Sequence, residues 1–308
     1  MSALLVLLGK RMTFITQTSM TIILRVPTLN DSQTDCTCLF SLWQQLQNLE
    51  SQEVIVDFSD CRFLRQNAVA FLGGLARLIQ SRNGKVNFAW NTLQDDIRAN
   101  LTQNGFIDIF DGTQREWLGN SVPYREYRYE DMDTIASYLE NCWLGRGWVQ
   151  IDSASSDEIV QNALEVYSNA FEHSASQIGI FTCGQRYPNL GKLHLTVIDF
   201  GVGIPPNVRQ FLNQPQKLAA DALEWAFKLG NTTRANKISG GTGLNTLKQF
   251  VKQKSGKIEV YSHDGYALIT SGQEVYQRSA TFFQGTLINI TVKCDSPAYN
   301  SSESTLFC

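Results

Sequence analysis

The chain has little net charge, few histidines and no long apolar run. Its 26 lysines and arginines nearly cancel 29 aspartates and glutamates, leaving −3 over 308 residues. A balance this even gives no electrostatic footprint for nucleic acid or an anionic membrane surface. The longest early apolar stretch, Ala3–Leu8, is too short to cross a bilayer. Its basic residues, Lys10 and Arg11, follow the run instead of preceding it, the reverse of a secretion signal. No CxxC pair and no Cys/His cluster occurs. Cys36 and Cys38 are neighbours, whereas Cys61, Cys142, Cys183, Cys294 and Cys308 are scattered. An odd, unclustered set of seven cysteines reads as reduced thiols in a cytoplasmic protein. A Walker A loop, GxxxxGK[ST], is also missing.

What is present divides into regions. Residues 1–19 are expected to be a poorly ordered leader or an upstream start, because Met20 opens a cleaner strand at Thr21–Val26. From there to residue 112, strand and helix patterns alternate. Helices are predicted at 35–47, 67–80 and 95–104, and strands at 53–58, 85–90 and 106–110. That rhythm predicts a small α/β domain. Residues 113–152 read as a connector whose tryptophans and tyrosines pack on a domain face, with a helix over 131–142. The tail 296–308, rich in serine and asparagine, is expected to be disordered.

Chemistry concentrates after residue 152. Ser155-Ser-Asp-Glu starts a helix with a hydroxyl cap and early acids. Val160, Ala163, Leu164, Tyr167, Ala170 and Phe171 make one apolar side, and Glu165, Asn169 and His173 lie one turn apart on a stripe roughly opposite. A carboxamide oxygen suits Mg²⁺, which takes hard oxygen ligands and keeps several waters. Glu165, one turn away, is placed to polarise a water or hydroxyl for attack on a phosphate.

Leu193, Leu195, Val197 and Asp199 share one face of a strand at 192–199. A carboxylate on an apolar face needs a donor, such as the exocyclic amine of adenine. Gly201 and Gly203 follow it and allow a tight turn against a flat base. A helix at 218–229 and the run Gly240-Gly-Thr-Gly-Leu244 come next, and the glycines there let successive N–H groups face an anion at the start of a helix.

In this order, the motifs resemble those of the GHKL ATPase superfamily, which includes gyrase, the large heat-shock chaperone, sensor histidine kinases and MutL. Ser255–Ser262 and Gly285–Ile290 resemble the family's closing strands. The likeness spans about 140 residues and implies an α/β sandwich with a mixed sheet at 153–295 that binds ATP and Mg²⁺. It implies Glu165 as general base and Asn169 as the Mg²⁺ ligand. It further implies nucleotide contacts from Asn169, His173, Asp199, Gly201, Gly203, Ile204, Thr233, Gly240, Gly241, Thr242, Gly243, Leu244 and Thr286. Residues 20–112 resemble a STAS domain at Val54–Ser59, Gly84–Val86 and Leu101–Phe110. STAS regulators carry a phosphorylatable hydroxyl in the loop opening their second main helix, and Phe63-Leu-Arg-Gln-Asn-Ala68 has none.

The scarcity of histidine (His173, His194 and His263) and the lack of a helical hairpin before residue 155 count against a sensor kinase. The short domain looks more like an anti-sigma serine kinase. Three activities follow as expectations. One is an ATP-hydrolysing regulatory switch that controls a protein partner (a STAS or other signalling protein). The second is a serine/threonine kinase acting on a separate STAS protein, and the third is a non-catalytic ATP sensor. Homodimerisation is left open.

Overall fold

The computed structural model describes residues 2–8, 11–17, 21–113, 119–149, 153–228, 230–231, 243–253 and 255–294, the first two stretches and residue 243 in backbone alone. Two five-stranded sheets organise them, and both are covered by helices.

The first sheet runs β1 (Ser2–Leu8), β2 (Arg11–Gln17), β3 (Thr21–Arg25), β4 (Glu53–Asp57), β5 (Lys85–Phe88) in spatial as well as chain order. β3, β4 and β5 are parallel, joined by crossover helices α1 (Gln33–Leu46) and α2 (Gln66–Ser81). β1 and β2 extend the sheet antiparallel. Where a poorly ordered leader was expected, the backbone therefore forms two strands. The apolar run Ala3–Leu8 is too short for a membrane but ample for the seven-residue strand that contains it. α1 starts two residues earlier than the apolar stripe suggests because Ser32 and Asp35 form a reciprocal capping box.

After α3 (Asp95–Gln103), residues 106–110 were expected to form a strand but open the helix α4 (Phe106–Asp111) instead. Phe-Ile-Asp-Ile-Phe fits both periods. The left-handed Gly105 (φ +74°) and the Asn104 side chain, which accepts from the Phe106 N–H, settle it as a helix. Phe106 and Phe110, one turn apart, then lie 4.9 Å from each other with their rings tilted.

β6 (Ser121–Tyr127) lies inside the stretch read as a connector, yet it is the edge strand of the second sheet. α5 (Met132–Tyr138) continues into a π-helical turn at Leu139–Leu144, which buries Trp143. α6 (Ser153–His173), β7 (Ile180–Tyr187), β8 (Lys192–Asp199), α7 (Ile204–Leu212), α8 (Ala219–Ala226), α9 (Gly243–Gln253), β9 (Lys257–Thr270) and β10 (Glu274–Lys293) complete the fold. The order β6-β7-β8-β10-β9 is antiparallel throughout, not mixed. β7 and β8, like β9 and β10, are joined by short turns that permit only antiparallel pairing. The mixed sheet is the first one.

Alternation along the strands gives the second sheet two different faces. Leu193, Leu195, Val197, Ile288 and Ile290 share a core with α6, α8 and α9. Phe181, Cys183, Ile198, Tyr261 and Leu287 face the other way and share a core with α1, α2 and the first sheet. Phe40 stacks on Phe283 at 4.9 Å, with Phe71 and Phe200 against the same ring. Arg77 of α2 makes two hydrogen bonds to Glu126 of β6 (2.9 and 2.8 Å). The start of α2 packs here too: the buried Gln66 accepts from the Tyr187 hydroxyl at 2.9 Å, and Arg65 pairs with Asp31 and lies over the Tyr187 ring, while Phe63 in the preceding loop is exposed. The first unit thus forms the second layer over the back of the second sheet.

Candidate functional site

On the front of the second sheet, α6, α7 and α8 frame a cleft of about 920 Å³ counted out to its open mouth. Its walls are largely apolar: Val166 and Ala170 on α6, Val197 on β8, Ile204 and Val208 on α7, Leu244 on α9 and Ile288 on β10. Glu165, Asn169 and His173 line it together with Asp199, Gly203 and Thr286.

Eight of the residues singled out by sequence therefore meet at one place: Glu165, Asn169, His173, Asp199, Gly203, Ile204, Leu244 and Thr286. Gly201 sits behind the wall. Gly243 is the first residue of α9. Thr233, Gly240, Gly241 and Thr242 lie outside the described residues, as does the tail from 295.

Asp199 ends β8 on the cleft side and is 3% exposed. Oδ1 accepts the Gly201 N–H at 2.8 Å. Burial among apolar walls pushes its carboxyl up to about 7, and hydrogen bonds from Gly201 and Thr286 hold it from rising further. Thr286 faces it directly across the β8–β10 pair.

The turn after Asp199 is fixed on several sides. Val202 N–H donates to the Ser174 carbonyl at 2.6 Å, and a Cβ on Gly201 would lie 1.9 Å from that oxygen. Gly203 holds φ +79°, where a side chain would meet the Gln284 carbonyl at 2.5 Å. The glycines here admit neighbouring protein backbone, a close approach only glycine permits. Ser262 Oγ accepts from Ile204 N–H (3.0 Å) and donates to the Gly285 carbonyl (3.0 Å). His263 Nε2 lies 2.9 Å from the Val202 carbonyl.

Glu165, Asn169 and His173 are half-buried, so their stripe is a cleft wall and not a solvated helix face. α6 is packed on more than its apolar side, with Val166 buried next to Glu165. Asn207 ties this helix to the glycine turn, its amide donating to the His173 carbonyl at 2.8 Å and the Gly203 carbonyl at 3.0 Å. Asn207, Ser174, Trp225 and Asn231 line the cleft without having been picked out by sequence. Asn207 carries one signal that could have marked it, its place one turn into the helix that follows Gly201 and Gly203.

The donor set offers few ligands to a resident protein-bound metal. Among the described residues no group of three or more His, Cys, Asp and Glu could hold a metal ion. One carboxamide and one carboxylate along α6 suit Mg²⁺ that arrives with phosphates and keeps its waters. An apolar slot ending in one desolvated carboxylate suits a flat heterocycle that bears an N–H donor. No helix among the described residues is long and apolar enough to cross a membrane. No protein-family model matches the chain, and no curated protein matches it.

Proposed function

We propose that the cleft binds ATP with Mg²⁺ and that the protein is an ATP-hydrolysing regulatory protein of the GHKL type. The observation that carries this reading is Asp199, a buried carboxylate at the end of an apolar slot whose wall bears Glu165, Asn169 and His173 in line.

In this reading Asp199 accepts a hydrogen bond from the adenine amine, with Thr286 beside it. Val166, Ala170, Ile204 and Ile288 exclude water from the base. Asn169 supplies an uncharged oxygen for Mg²⁺, which when bound neutralises charge on the phosphates and orients them. Glu165, one helical turn from Asn169, takes the proton from an attacking water. Asn207 keeps the C-terminal end of α6 registered against the glycine turn, so the base-binding and phosphate-facing groups keep a fixed spacing. The partner controlled by this cycle is a signalling protein, a STAS protein being the first to test.

The test incubates the intact protein with Mg²⁺ and γ-labelled ATP beside Glu165→Ala. Free phosphate and protein-bound label are followed, with and without a STAS protein. Phosphate release that vanishes in Glu165→Ala while ATP binding persists is the expected outcome. Label transferred to the STAS protein would replace hydrolysis with kinase action at the same cleft. Binding without turnover in any combination would reduce the protein to a sensor, and no binding of ATP would remove the proposal.

A further inference from the structure

Asp199 and Phe200 are consecutive and point to opposite faces of the second sheet. Asp199 enters the cleft, and Phe200 enters the core shared with the first unit. The Phe200 ring lies 5.5 Å from Phe71 of α2, 6.0 Å from Phe181 and 5.4 Å from Phe283. It also rests on bare backbone: a Cβ on Gly74 of α2 would stand 2.2 Å from Phe200 Cε2 and 2.8 Å from Phe181 Cδ2. The same short segment is blocked on its other sides. A Cβ on Gly285 would meet the Asp199 carbonyl at 2.1 Å, and Gly201 abuts the Ser174 carbonyl. The Phe200 ring is wedged between Gly74, Phe71 and Phe283 and is joined to Asp199 by a single peptide, so displacement of Phe200 moves Asp199.

We propose that Gly74 and Phe200 are positioning residues for Asp199, so that α2 of the first unit sets the geometry of the cleft on the far side of the sheet. The inference rests on the reading of that cleft as an adenine-nucleotide site. It makes the first unit a working part of the site, because a partner or modification that presses Gly74 against Phe200 changes how Asp199 meets its ligand.

Three variants separate positioning from plain stability. Gly74→Ala drives a methyl into the Phe200 ring. Phe200→Leu removes ring volume and clashes with nothing. In the double variant the added methyl occupies part of the vacated space. Gly73→Ala is the control, because its methyl would meet the Tyr124 hydroxyl at 2.0 Å and strains the same helix away from Phe200. Two quantities are read in the full chain: the affinity for ATP, and the titration of the Asp199 carboxyl followed by ¹³C NMR without ligand. Gly74→Ala and Phe200→Leu should each weaken ATP by about tenfold, within the range that misplacement by an ångström commands. Each should shift the Asp199 titration, the double variant should recover both, and Gly73→Ala should stay near wild type in both.

The proposal falls if folded Gly74→Ala or Phe200→Leu leaves both quantities unchanged. It also falls if Gly73→Ala and Gly74→Ala weaken ATP equally and in step with lost thermal stability. If Gly74→Ala does not fold, Phe200→Leu decides alone. Failure of the wild type to bind ATP would remove the nucleotide reading, and the ligand-free titration would still decide whether Gly74 and Phe200 position Asp199.

Discussion

Asp199→Asn should stabilise the empty protein and weaken its hold on adenine nucleotides. The carboxyl is fully buried and its folded value is raised from 3.8 to about 7. An acid whose folded value lies above its unfolded one binds more protons in the folded state between those two points. Stability attributable to it therefore falls as pH rises from about 4 to about 7 and is flat above that. At 1.36 kcal/mol per unit, three units set a ceiling of about 4 kcal/mol on the cost of holding the charged form at pH 8. Asparagine keeps an oxygen for the Gly201 N–H but turns an amide NH₂ toward apolar walls, which takes back about 1–3 kcal/mol. A net gain of about 1–3 kcal/mol at pH 8 is expected, turning into a loss of about 1–3 kcal/mol near pH 4, where only the cost of the amide remains.

Urea midpoints of both proteins at pH 4, 6 and 8, with unchanged slope, measure this directly. ATP titrations at pH 8 should show the opposite sign, a loss of about 1–3 kcal/mol, because the amide presents a donor where the adenine amine needs an acceptor. In the wild type, ATP affinity should fall as pH drops below about 7, when Asp199 takes up its proton. A variant less stable than wild type at pH 8, or a gain independent of pH, would refute the desolvated carboxylate and with it the assignment of this residue.

Other residues give further tests. Ser262→Ala removes the oxygen that accepts from Ile204 N–H and donates to the Gly285 carbonyl; it should cost about 1–3 kcal/mol by chemical denaturation and also weaken ATP. Burial holds His194 neutral, well below its ordinary 6.5, against Asp31, which raises it, and Arg65, Lys257 and Lys192, which lower it further. The unfolded chain takes the proton first, so stability should fall as pH drops through about 6.5, and thermal melts of His194→Asn should flatten that slope. Gly285→Ala should lose about 1–3 kcal/mol by overpacking against the Asp199 carbonyl, and calorimetric titration should find its ATP binding reduced as well.

Much of this was legible from period and punctuation. Lys192–Asp199 reads as a strand with its acid on the apolar side, and Asp199 lies there because pleat alternation leaves no other choice. Glu165, Asn169 and His173 fall on one wall because their spacing matches the helical turn. Tertiary choices were not legible. The sequence of α6 does not say that its polar stripe faces a cleft, since that depends on α7 and α8 arriving beside it. Phe106–Phe110 satisfies two periods, and only the left-handed Gly105 decides. β6 hides in a polar, aromatic stretch because it is buried on both faces, Val122 in the front core and Tyr124 in the back one, with a register shift between Val122 and Arg125 that breaks any clean alternation. Gly73 and Gly74 look like flaws in a helix until Tyr124 and Phe200 are seen pressed against them.

That last pair bears on why two units share one core. A cleft with a desolvated carboxylate, cut into the front of a sheet, weakens the sheet that carries it. Helical cover on the front is interrupted at the cleft, so compensation has to come from the back. There the protein clusters Phe40, Phe71, Phe181, Phe200 and Phe283 in stacked, tilted and edge-on pairs, each contributing about 0.5–1.5 kcal/mol beyond its buried area. A sheet braced this way holds Asp199 in place at neutral pH despite its cost. Loosening the brace should therefore show first in the titration of Asp199 and only later in global unfolding, since the strained carboxylate is the group with most to gain from a small displacement.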